Sequence, residues 1–173
     1  MDVIIELRPE FCLLIFIAFG CLLKVCNPVA VFIHELGHAL PALWLTKDKV
    51  TLRIGREYGG WQIPITRRCT LTLHMRQAHL GYCEYAKRSL PVIFRITVAL
   101  GGPFASACAV LASVIVLVEP TWVPLTGKFL LVVFFYANLK LLITSTLPLV
   151  YRDHRSGKAL VSDGFDIITM IRG

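Results

Sequence analysis

Charged side chains are scarce in this chain. Asp, Glu, Lys and Arg make up 17% of its 173 residues, while 56% are hydrophobic. A soluble domain carries about a quarter charged residues, and one of this length cannot bury so much apolar surface. The mean hydropathy of +0.69 agrees. This shortage argues against an ordinary soluble domain and makes lipid the natural solvent for the excess. The length suits a single domain, residues 1–173, and is short for two.

Other absences narrow the reading. None of the cysteines at 12, 21, 26, 69, 83 and 108 forms a C-x-x-C pair, which excludes zinc-ribbon and thioredoxin-type sites. Four of them lie in apolar stretches and behave there as small hydrophobes. Cys69 and Cys83 fall in the polar middle and are reduced thiols if that region faces the cytoplasm. No RNA- or DNA-binding motif accompanies the net charge of +7, so the charge reads as basic loops beside lipid, with no nucleic-acid partner. There is no internal repeat and no low-complexity tract. The flank before the first apolar run holds Glu6, Arg8 and Glu10, and no cleavage site is evident, so that run is expected to be an uncleaved anchor.

The apolar material is organised in long runs. Residues 11–23 and 25–45 are apolar, with Asn27-Pro28 between them resembling a helix N-cap and first residue. Residues 11–45 are therefore either two spans or one long helix kinked at Pro28. Residues 92–118 and 129–150 are each long enough to span a bilayer. Residues 46–90 are basic. Within them VTLRI and CTLTLH alternate apolar with polar residues around Gly59-Gly60, which predicts a small β-hairpin or meander. FDIITMI, near the C-terminus, predicts a short closing helix. The expected fold is mainly α, a polytopic α-helical membrane protein with a β insert at 46–90. Two crossings separate the basic loop from the basic tail (Arg152, Arg155, Lys158 and Arg172), so both are expected on the cytoplasmic side, with 119–128 facing outward.

The residues that carry chemistry are His34-Glu35-Leu36-Gly37-His38, an H-E-x-x-H. On a helix, positions four apart share a face, so both imidazoles reach one Zn²⁺ at about 2.0–2.1 Å. Glu35 lies beside the open coordination position. There it can take a proton from water activated by the metal and pass it to a leaving amine. The plainer reading is polar residues making ordinary hydrogen bonds, but ionisable groups in an apolar helix are costly and usually functional. A third protein ligand is needed. His74 and His79 read as surface strand residues, and Asp153 and His154 fall in a solvated charged run. Asp163 precedes Gly164 and an apolar helical stretch, where it serves equally as ligand or helix N-cap.

HELGHA in an apolar helix, Gly102-Pro103 in a later span, and Ser162-Asp163-Gly164 near the C-terminus resemble the site-2 protease family of intramembrane zinc metallopeptidases. The likeness is to its compact bacterial members, whose late motif reads Ser-Asp-Gly. It covers most of residues 28–170. The resemblance implies His34, His38 and Asp163 as zinc ligands, Glu35 as the catalytic acid/base, a membrane-anchored protein substrate and a bacterial cell membrane. The family's Asn before its Leu-Pro element corresponds to Asn138, ahead of Leu147-Pro148. Ser106 departs from the family in standing where Asn often follows Gly-Pro. The run between Pro148 and Asp163 is longer and more polar than in many members, and must fold back.

Further expectations attach to single residues. Gly101-Gly102 permits close packing on the active-site helix or is a simple kink before Pro103. Lys140 faces a wet cavity or snorkels to the surface. Asn138 contacts substrate or an oxyanion, or makes an interhelical hydrogen bond. A strand edge in CTLTLH is expected to pair with unwound substrate. The resulting reading is a zinc endopeptidase acting on membrane-anchored proteins in or near the bilayer. Its first rival is a non-proteolytic zinc-binding scaffold or regulator, which has no need of Glu35. The second is a metal transporter, disfavoured by the lack of repeated halves. Oligomeric state is not legible in the sequence.

Overall fold

The computed structural model describes residues 8–55, 60–74, 78–87, 90–118, 123–152 and 159–172. Helix α1 (Pro9–Leu45) is followed by β1 (Val50–Ile54), β2 (Trp61–Thr66), β3 (Cys69–Leu73) and β4 (Gly81–Glu84). Then come α2 (Val92–Val118), α3 (Leu125–Thr146), β5 (Val150–Arg152), β6 (Ala159–Val161) and α4 (Asp163–Arg172). Three helices, α1, α2 and α3, are long and apolar enough to cross a membrane.

Helix α1 settles the Pro28 alternatives in favour of one helix. Asn27 caps nothing; it lies inside a continuous helix of 37 residues, about 55 Å long at 1.5 Å per residue. Proline removes one internal hydrogen bond. Packing on both sides of it supports the helix there: Cys26 and Ala30 are buried against Val133 and Ala137 of α3. Helix α3 starts earlier than expected, at Leu125, and stops at Thr146 because Pro148 disfavours a helical residue before it. The α1–α2 crossing is tight. A Cβ at Gly37 would lie 2.3 Å from the Gly101 carbonyl oxygen, and one at Gly101 2.1 Å from that of Gly37. Gly101 is therefore a close-packing glycine. Pro41 has no N–H to give the Gly37 carbonyl, which frees the backbone at this crossing.

The insert is a four-stranded mixed sheet in the order β2-β3-β1-β4, not a simple hairpin or meander. The two segments with the clearest alternation, β1 and β3, pair in parallel, Val50 with Cys69 through Ile54 with Leu73. β2 hairpins onto β3, with a bulge between Pro64 and Thr66, and Pro64 is tolerated because β2 is an edge strand. β3 is thus a central strand, and CTLTLH offers no free edge. The edge nearest α1's chemistry is β4, which pairs antiparallel with β1. The sheet packs on α1 through Val50, Leu52 and Cys69 against Ala39 and Ala42, and through Ile54 beside Val31. Arg68 locks the β2–β3 turn to the end of α1, donating to Thr46 O at 2.8 Å and Leu43 O at 2.9 Å.

Candidate metal centre

His34, Glu35 and His38 are buried on the inner face of α1, where α2, β4 and α4 converge on it. Room for the two rings comes from Gly102, since a Cβ there would lie 2.2 Å from His38 Nε2 and 2.7 Å from His34 Nε2. The Gly-Pro element of α2 therefore makes space for the imidazoles. Pro103 also leaves the Ala99 carbonyl without its helical donor, and Ala99 lines the same cavity.

Each ring is held by its Nδ1. His38 Nδ1 lies 2.7 Å from Val98 O and 3.3 Å from Gly102 N; the shorter contact, to a pure acceptor, puts the hydrogen on that nitrogen. His34 Nδ1 lies 2.9 Å from Ser106 Oγ, which is fully buried. Both Nε2 atoms then face Asp163, His34 at 3.1 Å from Oδ2 and His38 at 3.3 Å from Oδ1. One ligand atom from each of the three residues fits within 4.8 Å of the others. Ligands at about 2.0–2.1 Å in a tetrahedron are about 3.3 Å apart, which matches. In the metal-free site both Nε2 atoms hydrogen-bond the Asp163 carboxylate; a cation bound between them would replace those hydrogens and satisfy all three groups. His34, His38 and Asp163 can hold a metal ion. Anchoring of the distal nitrogens by Val98 O and Ser106 is the outer-shell support that metal-binding histidines require.

Asp163 reaches the site because Ser162 takes over the capping role. Ser162 Oγ accepts from Phe165 N at 3.2 Å and from Leu149 N at 2.9 Å, and donates to Leu147 O at 2.5 Å. Its carbonyl accepts from Asp166 N at 3.0 Å. Ser162 is the N-cap, Asp163 is the first residue of α4, and the choice between capping and ligand geometry at 163 falls to the latter. Gly164 lets α4 abut the end of α3, for a Cβ there would lie 1.9 Å from Thr146 O. The polar run after Pro148 folds back as the β5–β6 hairpin. Burial alone would push the Asp163 carboxyl up. The hydrogen bonds and charges of His34 and His38 outweigh it and hold the group at about 2.

The site opens into a cavity of about 980 Å³ lined by α1, α3, α4, β4 and the β5–β6 hairpin. The Glu35 carboxylate lies in it, without a hydrogen bond or ion pair among the described residues. Gly81 makes way for it, since a Cβ there would be 2.5 Å from Glu35 Oε1. Lys140 lines the cavity and is exposed, inside α3, which runs on to Thr146. His79 lines the cavity but is exposed and outside the His–His–Asp group, and His74 stands at the end of β3. Asp153, His154 and Gly59 lie outside the described residues. Asn138 is not among the cavity residues. It is fully buried in α3, its amide donates to Phe134 O at 2.9 Å, and its Oδ1 has no partner among the described residues.

Sequence reading missed three contributors: Ser106 as a support for His34, Gly81 as the residue that makes room for Glu35, and an ion pair between Lys87 and Asp166 on the cavity wall. Ser106 had a faint signal, standing four residues after Gly102 on the same helix face. No protein-family model matches the chain, and no curated protein matches it.

Proposed function

We propose that this protein is a zinc-dependent intramembrane endopeptidase that hydrolyses peptide bonds of membrane-anchored proteins in or near the bilayer. The observation that carries the reading is the convergence of His34, His38 and Asp163 beside the buried Glu35 carboxylate, at a cavity between apolar helices. Two imidazoles and one carboxylate are the donor set of a catalytic zinc site, which leaves a position open. Zinc bound there would supply Lewis acidity, polarising the scissile carbonyl and easing deprotonation of water.

The chain's own residues do the rest. Glu35 accepts a proton from the attacking water as its oxygen bonds to the carbonyl carbon. It returns that proton to the amide nitrogen as the C–N bond breaks, leaving a carboxylic acid and an amine, and the acid's proton then passes to the amine to give carboxylate and ammonium. The Nδ1 anchors at Val98 and Ser106 keep the two histidines oriented throughout. Substrate is presented as an extended strand, because a helix hides its scissile carbonyls in its own hydrogen bonds. β4 offers the surface for this. Gly55 N donates to Leu80 O at 2.8 Å, so Leu80, Tyr82 and Glu84 point their backbone groups at β1. Gly81 and Cys83 then turn theirs to the outer edge, beside Glu35, where a strand can add. The basic 46–90 segment and the tail share one side of the membrane, and their charge favours the cytoplasmic side.

Glu35→Gln tests the reading. Purified in detergent, the native chain should bind about one zinc and cleave a membrane-anchored substrate. The variant should keep the zinc and lose at least about 100-fold in cleavage, the scale of general acid–base catalysis. Undiminished cleavage by the variant would falsify the assignment, and a native chain without zinc would remove its basis.

A further inference from the structure

We infer that Lys87 is a positioning residue of the metal centre, acting through its ion pair with Asp166 to hold α4, and so Asp163, against the two histidines. The inference rests on the metal-binding reading above and extends it to a residue outside every motif.

Asp163 stands on a helix of 10 residues at the end of the described chain, too short to persist without tertiary support. Its far end is held by Met170, which is buried. Its near end is tied to the close of α3 through Ser162 and Gly164. Those ties fix where α4 starts. Helix α4 also packs against α2, and on the cavity side a charged tie joins these apolar contacts. Asp166 is three residues beyond Asp163, on the same helix face, and both line the cavity. The Lys87 ammonium bonds the Asp166 carboxylate. Lys87 belongs to the segment joining β4 to α2, and its N–H donates to Tyr85 O at 2.7 Å.

The ion pair therefore clasps the sheet side of the cavity to the α4 side. Its side chains are 36% and 29% exposed, so it is neither a free surface pair nor a sealed one. Burial pushes the nearby Tyr85 phenol up to about 12, and the charge of Asp166 adds to this. Lys87 stands against Asp166, one turn from a ligand carboxylate, and compensates negative charge without occupying the His–His–Asp group. The same segment carries β4, so the clasp also couples the strand edge beside Glu35 to the ligand on α4.

The test is competition for Zn²⁺ between the full chain in detergent and a chromogenic chelator. The native protein is compared with Lys87→Met, Asp166→Asn, Lys87→Arg and the reversed pair K87D/D166K. Loss of an outer-shell partner costs about 10–100-fold in metal affinity. That weakening is expected for Lys87→Met and Asp166→Asn, with most of it recovered in Lys87→Arg and the reversed pair. The thermal midpoint of the metal-free protein should stay within a few degrees throughout. If Lys87→Met fails to fold, Asp166→Asn makes the same test from the other side. Native affinity in both single variants overturns the clasp while leaving the metal centre intact. A native chain that binds no zinc overturns the metal centre and the clasp with it.

Discussion

His34 and His38 reach the candidate metal centre from adjacent turns of a 37-residue helix, whereas Asp163 comes from the far end of the chain on a helix of 10 residues. The first half is braced by backbone against backbone, at the Gly37–Gly101 crossing, and by Nδ1 bonds to α2. The second is braced by side chains: Ser162 on the turn after α3 and Lys87 across the cavity. A helix face gives spacing from local geometry. A ligand separated from its partners by more than 100 residues depends on every tertiary contact between. The histidine half should therefore behave as a rigid platform that tolerates no change within it, and the aspartate half as the part that can adjust.

Acidification is the largest lever on this comparison, because metal ligands must be deprotonated. The Asp163 carboxyl is depressed to about 2. Its contribution is therefore complete above the ordinary carboxylate range near 3.9 and lost only as pH falls through about 2. Imidazole is the group that gains a proton in mild acid. Dialysis of the zinc-loaded protein from pH 7 to pH 4 should release essentially all the metal, read by atomic absorption, with the aspartate still ionised. Retention to pH 3, followed by loss near 2, would reverse the assignment and make Asp163 the controlling ligand.

A substitution at Gly102 strikes the histidine half directly. A Cβ there would sit 2.2 Å from His38 Nε2, and the ring cannot retreat without giving up its bond to Val98 O. Gly102→Ala should cost about 100-fold in zinc affinity, the upper end for a disturbed metal shell, and about 1–3 kcal/mol of stability from overpacking. Zinc titration with a thermal melt of the metal-free chain separates the two. Unchanged zinc affinity would mean that the ring platform is softer than the glycine crossing implies.

What could be read beforehand follows the same division. The H-E-x-x-H helix was legible because both its apolar character and its ligand spacing are local. Apolar runs announced the later spans too, and Pro148 limits α3 by a local rule. Alternation marked β1 and β3 as strands, but it carries no information on partners, so their parallel pairing and the central place of β3 were hidden. β2 was obscured by Pro64, which an edge strand accepts. Asp163 was legible only as a choice between cap and ligand, because the answer lies in what Ser162 does. Ser106 and Lys87 act across 72 and 79 residues of sequence, and no periodicity reaches that far.

The smallest expected effect falls at Ser162, where the aspartate half begins. Ser162→Ala removes the N-cap oxygen from Phe165 N and the bridge between Leu149 N and Leu147 O. Loss of a serine cap costs about 1 kcal/mol. Asp163 keeps its backbone position through Gly164 and the Asp166 N–H to Ser162 O bond, which the substitution leaves in place. The variant should therefore lose about 1 kcal/mol in the metal-free melt and only a few-fold in zinc affinity, well short of Gly102→Ala. An equal or larger loss of zinc would show that α4 has no support apart from its cap, and that the two halves differ more than their contacts suggest.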